Sequence, residues 1–315
     1  TEFLAARGFR GILDGEMNKS PKDAFRDMGQ THREETKKLQ EAHGEMFAKA
    51  EWGAAMSLVH ANEFIALGGM VIGSMIVMAP MNTLKGVISQ TLGTLKGAPF
   101  SKEDYNELFK CMYELFQLGR RGGMIALEEH VMNPEASSLF AKYPKFHANH
   151  HAVEYMCDGL KPIVDGRIKP DQLEPLMSKS LHVMEEEHHD PILVMNKVSD
   201  GLPAFGIVAA VLGIIVVMMY KLGQGGEAVG QGIATALAGT FFGIFGSYCV
   251  VGPIATCAEF NGHSEMAYMK AIKSGVVSFA NGLPPLVACE VGRRELTSDV
   301  RMGSGELEDT LKSAG

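Results

Sequence analysis

Leu202–Tyr220 reads LPAFGIVAAVLGIIVVMMY, 19 residues without a charge. A helix of about 20 apolar residues crosses the hydrocarbon of a bilayer, so this stretch predicts a membrane span. Ile233–Cys257, 25 residues, and Phe64–Met81, 18 residues, are equally free of charge. Pro80 lies near the end of the last of these. A buried core helix of a large soluble protein is the alternative reading for each run, and the lengths argue against it.

Between the two longer runs lies KLGQGGEAVGQG, a Gly-rich link that makes a hairpin and puts the neighbouring segments on one side. Residues 82–201 and 258–315 carry charges of both signs throughout. Lys85, Lys96, Lys197, Lys270 and Lys273 flank the spans on the side of these polar segments, against Lys49 and Lys221 opposite. The positive-inside rule places the polar segments in the cytoplasm. The expected order is a polar segment 1–61, a span 62–81, a cytoplasmic domain 82–201, a span 202–220, a short periplasmic loop 221–232, a span 233–257, and a cytoplasmic tail 258–315. Asp104–Leu118 has apolar residues at helical spacing, Asn133-Pro134 interrupts it, and Asp171–Lys197 resumes it after a turn at Asp165-Gly166. No alternating run is long enough for a sheet, so the fold class is all-α, polytopic, with a helical cytoplasmic insert and helical tail.

The mean hydropathy of +0.04 averages these two populations. Net charge is −8 and pI about 5.8, which excludes the basic footprint of a nucleic-acid binder. Five cysteines, none in a C-x-x-C pair, argue against a disulfide framework or a zinc ribbon. The 36 glycines and 20 methionines fit closely packed membrane helices.

None of the three runs Phe64–Met81, Leu202–Tyr220 and Ile233–Cys257 contains Asp, Glu, Lys, Arg or His. Bare ions are expensive at membrane depth, so an ion crossing here needs an acid from another chain. The polar groups available are the hydroxyls of Ser74, Thr235, Thr240, Ser247 and Tyr248, for which back-bonding to the helix's own carbonyls is the competing account. Gly69-x-x-x-Gly73 and Gly239-x-x-x-Gly243 predict close helix approach. Pro203 opens one span and Pro253 lies near the end of another; each frees a backbone carbonyl.

DGLPAFGIVAAVLG (200–213), AGTFFGIFGSYCVVGP (238–253) and ANEFIALGGMVIGSMIV (61–77) resemble membrane helices of the MotA family of flagellar motor stator proteins. GRRGGMIALEEHVMNP resembles that family's torque-generating segment and ANGLPPLVACEVGRREL its C-terminal tail. The resemblance runs from about residue 60 to 310. It implies a homo-pentamer around a dimer of B-type subunits (MotB-like) whose membrane aspartate carries the ion, in the bacterial inner membrane. By it, Pro203 and Pro253 match the prolines that couple ion flow to movement, and Thr240 the threonine facing the ion path. Ala210 stands where sodium-driven relatives carry a second threonine, which implies proton coupling. Arg120 and Glu128 match the charged pair that engages the rotor protein FliG. Arg121 lies seven residues before Glu128, which puts those two on one helical face. The family's first membrane helix precedes Asn62, whereas here GEMFAKAEWGAAMSLVH carries Lys49 and Glu51 and does not span.

Two other functions compete. His147, His150 and His151, with His182, His188 and His189, invite a metalloenzyme reading, since helical histidines at i,i+4 can share zinc. No H-E-x-x-H is present, and solvated histidines on polar helices are the better account. An energiser of outer-membrane transport like ExbB or TolQ shares the two-helix pore core; the RR…EE insert favours the flagellar reading. There is no G-x-S-x-G, no phosphate loop and no cofactor fingerprint, so the chain is expected to be neither enzyme nor cofactor carrier.

Overall fold

A computed structural model describes residues 61–313 and, outside them, only Lys38. The expectation of a polar, non-spanning segment over residues 1–60 therefore lies outside the described residues. The described residues form helices and turns without a strand, as the all-α reading requires.

Helix α1 (Ala61–Met78) is uncharged from Phe64 onward and ends just before Pro80, which caps α2 (Met81–Thr94). Helix α3 (Lys102–Gly122) starts in a capping box: the Ser101 backbone N–H donates to Asp104 Oδ2 at 2.7 Å. Its apolar residues Tyr105, Leu108, Phe109, Met112, Leu115 and Phe116 recur at three- and four-residue spacing and are all buried. The helix stops at Gly123, whose φ of +77° favours glycine, well before the break expected at Asn133-Pro134.

Short elements follow: a 3₁₀ turn at Met124–Leu127, α4 (Glu128–Met132), and α5 (Pro144–Ala148). Helix α6 (His150–Val164) is capped by Asn149, whose side chain accepts the Ala152 N–H at 3.2 Å. This cap places His147 on α5 and His151 on α6, so the i,i+4 pair does not share a helix face. His147 and His150 instead approach Glu135, at 3.8 and 3.3 Å. His188 is not solvated as expected of a polar-helix histidine: it lies half-buried 3.6 Å from Glu265.

Helix α7 (Pro170–Tyr220) runs 51 residues without interruption, with Pro175, Pro191 and Pro203 inside it. The polar residues 170–201 and the apolar run 202–220 thus share one helix, and Pro203 lies inside it. The hairpin link is shorter than 221–232. A 3₁₀ turn at Leu222–Gln224 and a left-handed Gly225 (φ +99°) suffice, and α8 (Gly226–Phe245) begins at once. One π-helical turn, Gly246–Val251, joins α8 to α9 (Gly252–Ala280). Helices α10 (Pro285–Arg293) and α11 (Ser304–Lys312) close the chain.

The polar part has its own core. Phe116 stacks on Phe279 at 4.5 Å, joining α3 to the far end of α9, and Phe100, just before α3, stacks on Tyr268 in the middle of α9 at 4.3 Å. The Tyr155 hydroxyl donates to the Met177 carbonyl at 3.0 Å, fastening α6 to α7. Cys111, Cys157 and Cys289 are buried in this core, and none of the five cysteines is in a disulfide. Burial pushes all three thiols up, Cys157 to about 12. That leaves about a thousandfold less thiolate at Cys157 than at an ordinary cysteine. Iodoacetamide is expected to leave these three unlabelled in the folded protein and to reach them only on unfolding, as peptide mass mapping would read.

The tail is tied down at Glu290. Arg293 meets its carboxylate bidentately at 2.7 Å and also donates to the Met302 carbonyl at 2.7 Å. The Arg293 hydrogen bonds, with those of Arg294, hold the Glu290 carboxyl below the ordinary range against opposing burial. A depressed carboxyl stabilises the fold above its unfolded pKa and loses that contribution as pH falls through the folded one. Glu290→Gln is expected to cost about 1.5–3 kcal/mol near neutrality. The difference from wild type should shrink as pH falls below the ordinary glutamate range and vanish only below the lowered folded pKa. Limited proteolysis of the tail across pH checks this; an equal deficit at every pH would contradict it.

Candidate functional site

The site is the seam where α7 lies against α8 and the π turn. Small residues permit the approach. A Cβ on Gly206 would sit 2.8 Å from the Gly239 carbonyl oxygen, and one on Gly243 would sit 2.7 Å from the Leu202 carbonyl oxygen. Further along, Gly213 meets Ala236 and Gly232 meets Val217. Lipid is as apolar as leucine, so such helices associate through packing and cross-helix hydrogen bonds rather than burial from water. The two glycine pairs read from the sequence behave differently. Gly239 and Gly243 join this seam, whereas Gly69 and Gly73 on α1 are exposed, with no atom of the described residues within 4 Å of a Cβ position.

The hydroxyls divide in the same way. Ser74 and Thr235 back-bond to the carbonyls of Val71 and Gln231, at 2.8 and 2.9 Å. Thr240 instead reaches across to the Gly206 carbonyl at 3.5 Å, a long bond between α8 and α7. Ser247 pairs across the seam with Ser199, and Tyr248 points outward. Ala210 is buried one turn beyond Gly206, on the same face of α7, and brings no oxygen to it.

Both prolines lie inside long helices. Pro203 has no N–H for the carbonyl of Ser199, four residues earlier. Pro253 follows the π turn, in which the Gly252 N–H reaches back five residues to the Ser247 carbonyl. A π turn inside an α-helix often marks a functional position.

A second group lies at the end of α3. Arg120 and Arg121 are exposed in its last turn and Glu128 is exposed at the start of α4. The glycine turn at 122–123 and the 3₁₀ turn intervene, so the seven-residue spacing does not place Arg121 and Glu128 on one helix face. Arg121 donates to Gln117 Oε1 at 2.6 Å. Exposed Ile125 stands between the charges, while Gly119 beneath them packs on Phe279 and Leu127.

A small-residue seam free of charge, joined without a break to a polar helical body, defines a channel-forming class of membrane protein. Residues 147–270 match the MotA/TolQ/ExbB proton channel family, and residues 45–123 match the motility protein A N-terminal family. The chain is 32% identical to motility protein A of Salmonella typhimurium over 251 residues, 80% of this chain and 85% of that one. It is 31% identical to motility protein A of Escherichia coli (83% and 88% covered) and 30% identical to chemotaxis protein LafT of Vibrio parahaemolyticus (85% and 93%). The chain belongs to the motility protein A family. Its fold is that of the Campylobacter jejuni MotAB structure, with a TM-score of 0.65, 19% identity, and 84% of this chain and 94% of that one covered. The Bacillus subtilis flagellar MotAB stator complex agrees, with a TM-score of 0.60, 21% identity, and 82% and 89% covered.

Sequence reasoning missed Ser199, Gly206 and the π turn. A signal for the first existed: the residue four before a helical proline always loses its backbone partner. Gly206 and Gly213, seven apart on one helix, likewise marked the face of closest approach.

Proposed function

We propose that this chain is the ion-conducting, torque-generating component of a bacterial flagellar stator. It works as a homo-pentamer around a B-type partner whose membrane aspartate carries a proton through the inner membrane. The observation that carries this reading is the seam itself: it holds Thr240 and two proline-weakened turns, and its spans lack any acid. Protonation of the partner's aspartate changes the charge against which α7 and α8 pack. The seam responds at Pro203 and Pro253, and the uninterrupted α7 takes the movement to the cytoplasmic domain. The outward stripe Ile207, Val211, Ile215 and Met219 on α7 is then covered by lipid or neighbouring subunits. The N-terminal family match favours this over an energiser of outer-membrane transport, with which only the channel family is shared.

The test is expression of the chain with its B-type partner in cells lacking stators. Rotation is expected in sodium-free medium and is expected to stop when a protonophore collapses the gradient. Rotation that requires sodium would refute the proton assignment, and none under any gradient would refute the function.

Arg120, Arg121 and Glu128 are the surface offered to FliG. Exposed charges steer and register a partner more than they add affinity. Reversing both charges, Arg120→Glu with Glu128→Lys, is expected to cut torque severalfold without changing membrane level. Reciprocal reversal on the rotor is expected to restore it. Recovery without the rotor change would place the contact elsewhere.

A further inference from the structure

The two prolines are joined by one buried contact. The Ser199 hydroxyl donates to the Ser247 carbonyl at 3.2 Å and lies 3.3 Å from the Ser247 hydroxyl. Both serines are buried. Ser199 is the residue whose carbonyl Pro203 leaves without its helical partner. Ser247 is the residue whose carbonyl takes the Gly252 N–H across the π turn, immediately before Pro253. One carbonyl oxygen thus receives a bond from each of the two weakened turns. Gly252 leaves room for this arrangement, since a Cβ there would lie 2.9 Å from the Ser247 carbonyl oxygen and 3.3 Å from Ser199 Oγ.

We propose that Ser199 and Ser247 are positioning residues that tie the Pro203 turn of α7 to the π turn before Pro253, so that a change of winding in one helix is passed to the other. The π turn has a discrete alternative. If it rewinds to α, the Ser247 carbonyl exchanges the Gly252 N–H for that of Val251, a shift of one residue. The Ser199 hydroxyl has a second acceptor in Ser247 Oγ, and keeps a partner while the carbonyl turns. A buried hydroxyl left without one would oppose the change.

The inference rests on the torque-generating function proposed above, and its test separates the two. The full chain is expressed with its B-type partner in cells without stators, and torque is read from single motors carrying beads. If the wild-type chain drives no rotation, the functional reading fails. If it does, three variants address the tie. Ser199→Ala is expected to lower torque at high load at least threefold at unchanged membrane level. Ser247→Ala is expected to lower it less, because the backbone acceptor remains. The third is S199C with S247C, in a background where Cys249 and Cys257 are serine. It is expected to turn at lowered torque when reduced, to stop when diamide joins the thiols, and to regain that lowered torque with dithiothreitol. The same motors before and after oxidation control for folding. Full torque in the cross-linked motor overturns the proposal, because the contact then need not move. Failure of the two thiols to cross-link in the assembled complex overturns it as well, because the side chains then do not face each other. Wild-type torque in Ser199→Ala does so too.

Discussion

Gly243→Leu is expected to abolish rotation. The Cβ it adds would meet backbone on every side: the Leu202 carbonyl oxygen at 2.7 Å, Gly206 Cα at 2.9 Å and Gly206 N at 3.2 Å. A side-chain neighbour can rotate away, but these atoms move only if α7 and α8 part. Overpacking a tight contact costs about 1–3 kcal/mol, and more where backbone opposes it. Parting the helices also breaks the Thr240 bond to Gly206 and the Ser199 bond to Ser247, which depend on the same separation. Gly73→Leu is the matched control, since no atom of the described residues lies within 4 Å of a Cβ at that position. The packing of the described residues is expected to be unchanged, and any effect on rotation would report a further segment or chain packed on α1. Immunoblots of membranes and single-motor torque separate the outcomes. Wild-type rotation in Gly243→Leu would mean that the seam opens in the working assembly.

Pro203→Ala is expected to stabilise the protein and to lower torque tenfold or more. Alanine supplies the N–H that the Ser199 carbonyl lacks, a bond worth about 0.5–1.5 kcal/mol. It also removes a ring that costs a helix interior about 3 kcal/mol. Thermal unfolding of the purified complex should therefore move upward. A turn that no longer yields cannot follow the protonation of a partner, so the motor should slow as the protein becomes firmer. Pro253→Ala is expected to behave alike, because its new N–H lets the adjoining π turn settle toward α. Opposite signs for stability and torque are the signature of a coupling proline. A higher melting temperature with unchanged torque would reduce Pro203 to an incidental kink.

The architecture was legible where one physical rule governed a long stretch. Nineteen uncharged residues from Leu202 are too apolar for water, and the spacing of Leu108, Met112 and Leu115 admits little but a helix. The family likeness lay in runs of the same kind, from DGLPAFG to ANGLPPL. Local breaks were less legible because they depend on what packs nearby. Pro203 opens the uncharged run in sequence, yet α7 begins 33 residues earlier and passes straight through it. Arg121 and Glu128 have heptad spacing, but Gly122-Gly123 ends the helix between them. Gly69 and Gly73 carry the same motif as Gly239 and Gly243, and only the structure shows which pair has a neighbour. The Ser199–Ser247 contact joins residues 48 positions apart, and no local pattern carries it.

The unbroken course of α7 has a consequence in leverage. From Pro203 to the start of α7 at Pro170 the contour is about 50 Å at 1.5 Å per residue. A pivot of only about 5° at Pro203 sweeps the far end through roughly 4 Å, close to the rise of one helical turn. A displacement too small to open a gap at the seam thus becomes a stroke large enough to shift one protein surface past another. In the proposed stator the long helix is a gear of high ratio, exchanging a small movement in the bilayer for a large one at its far end.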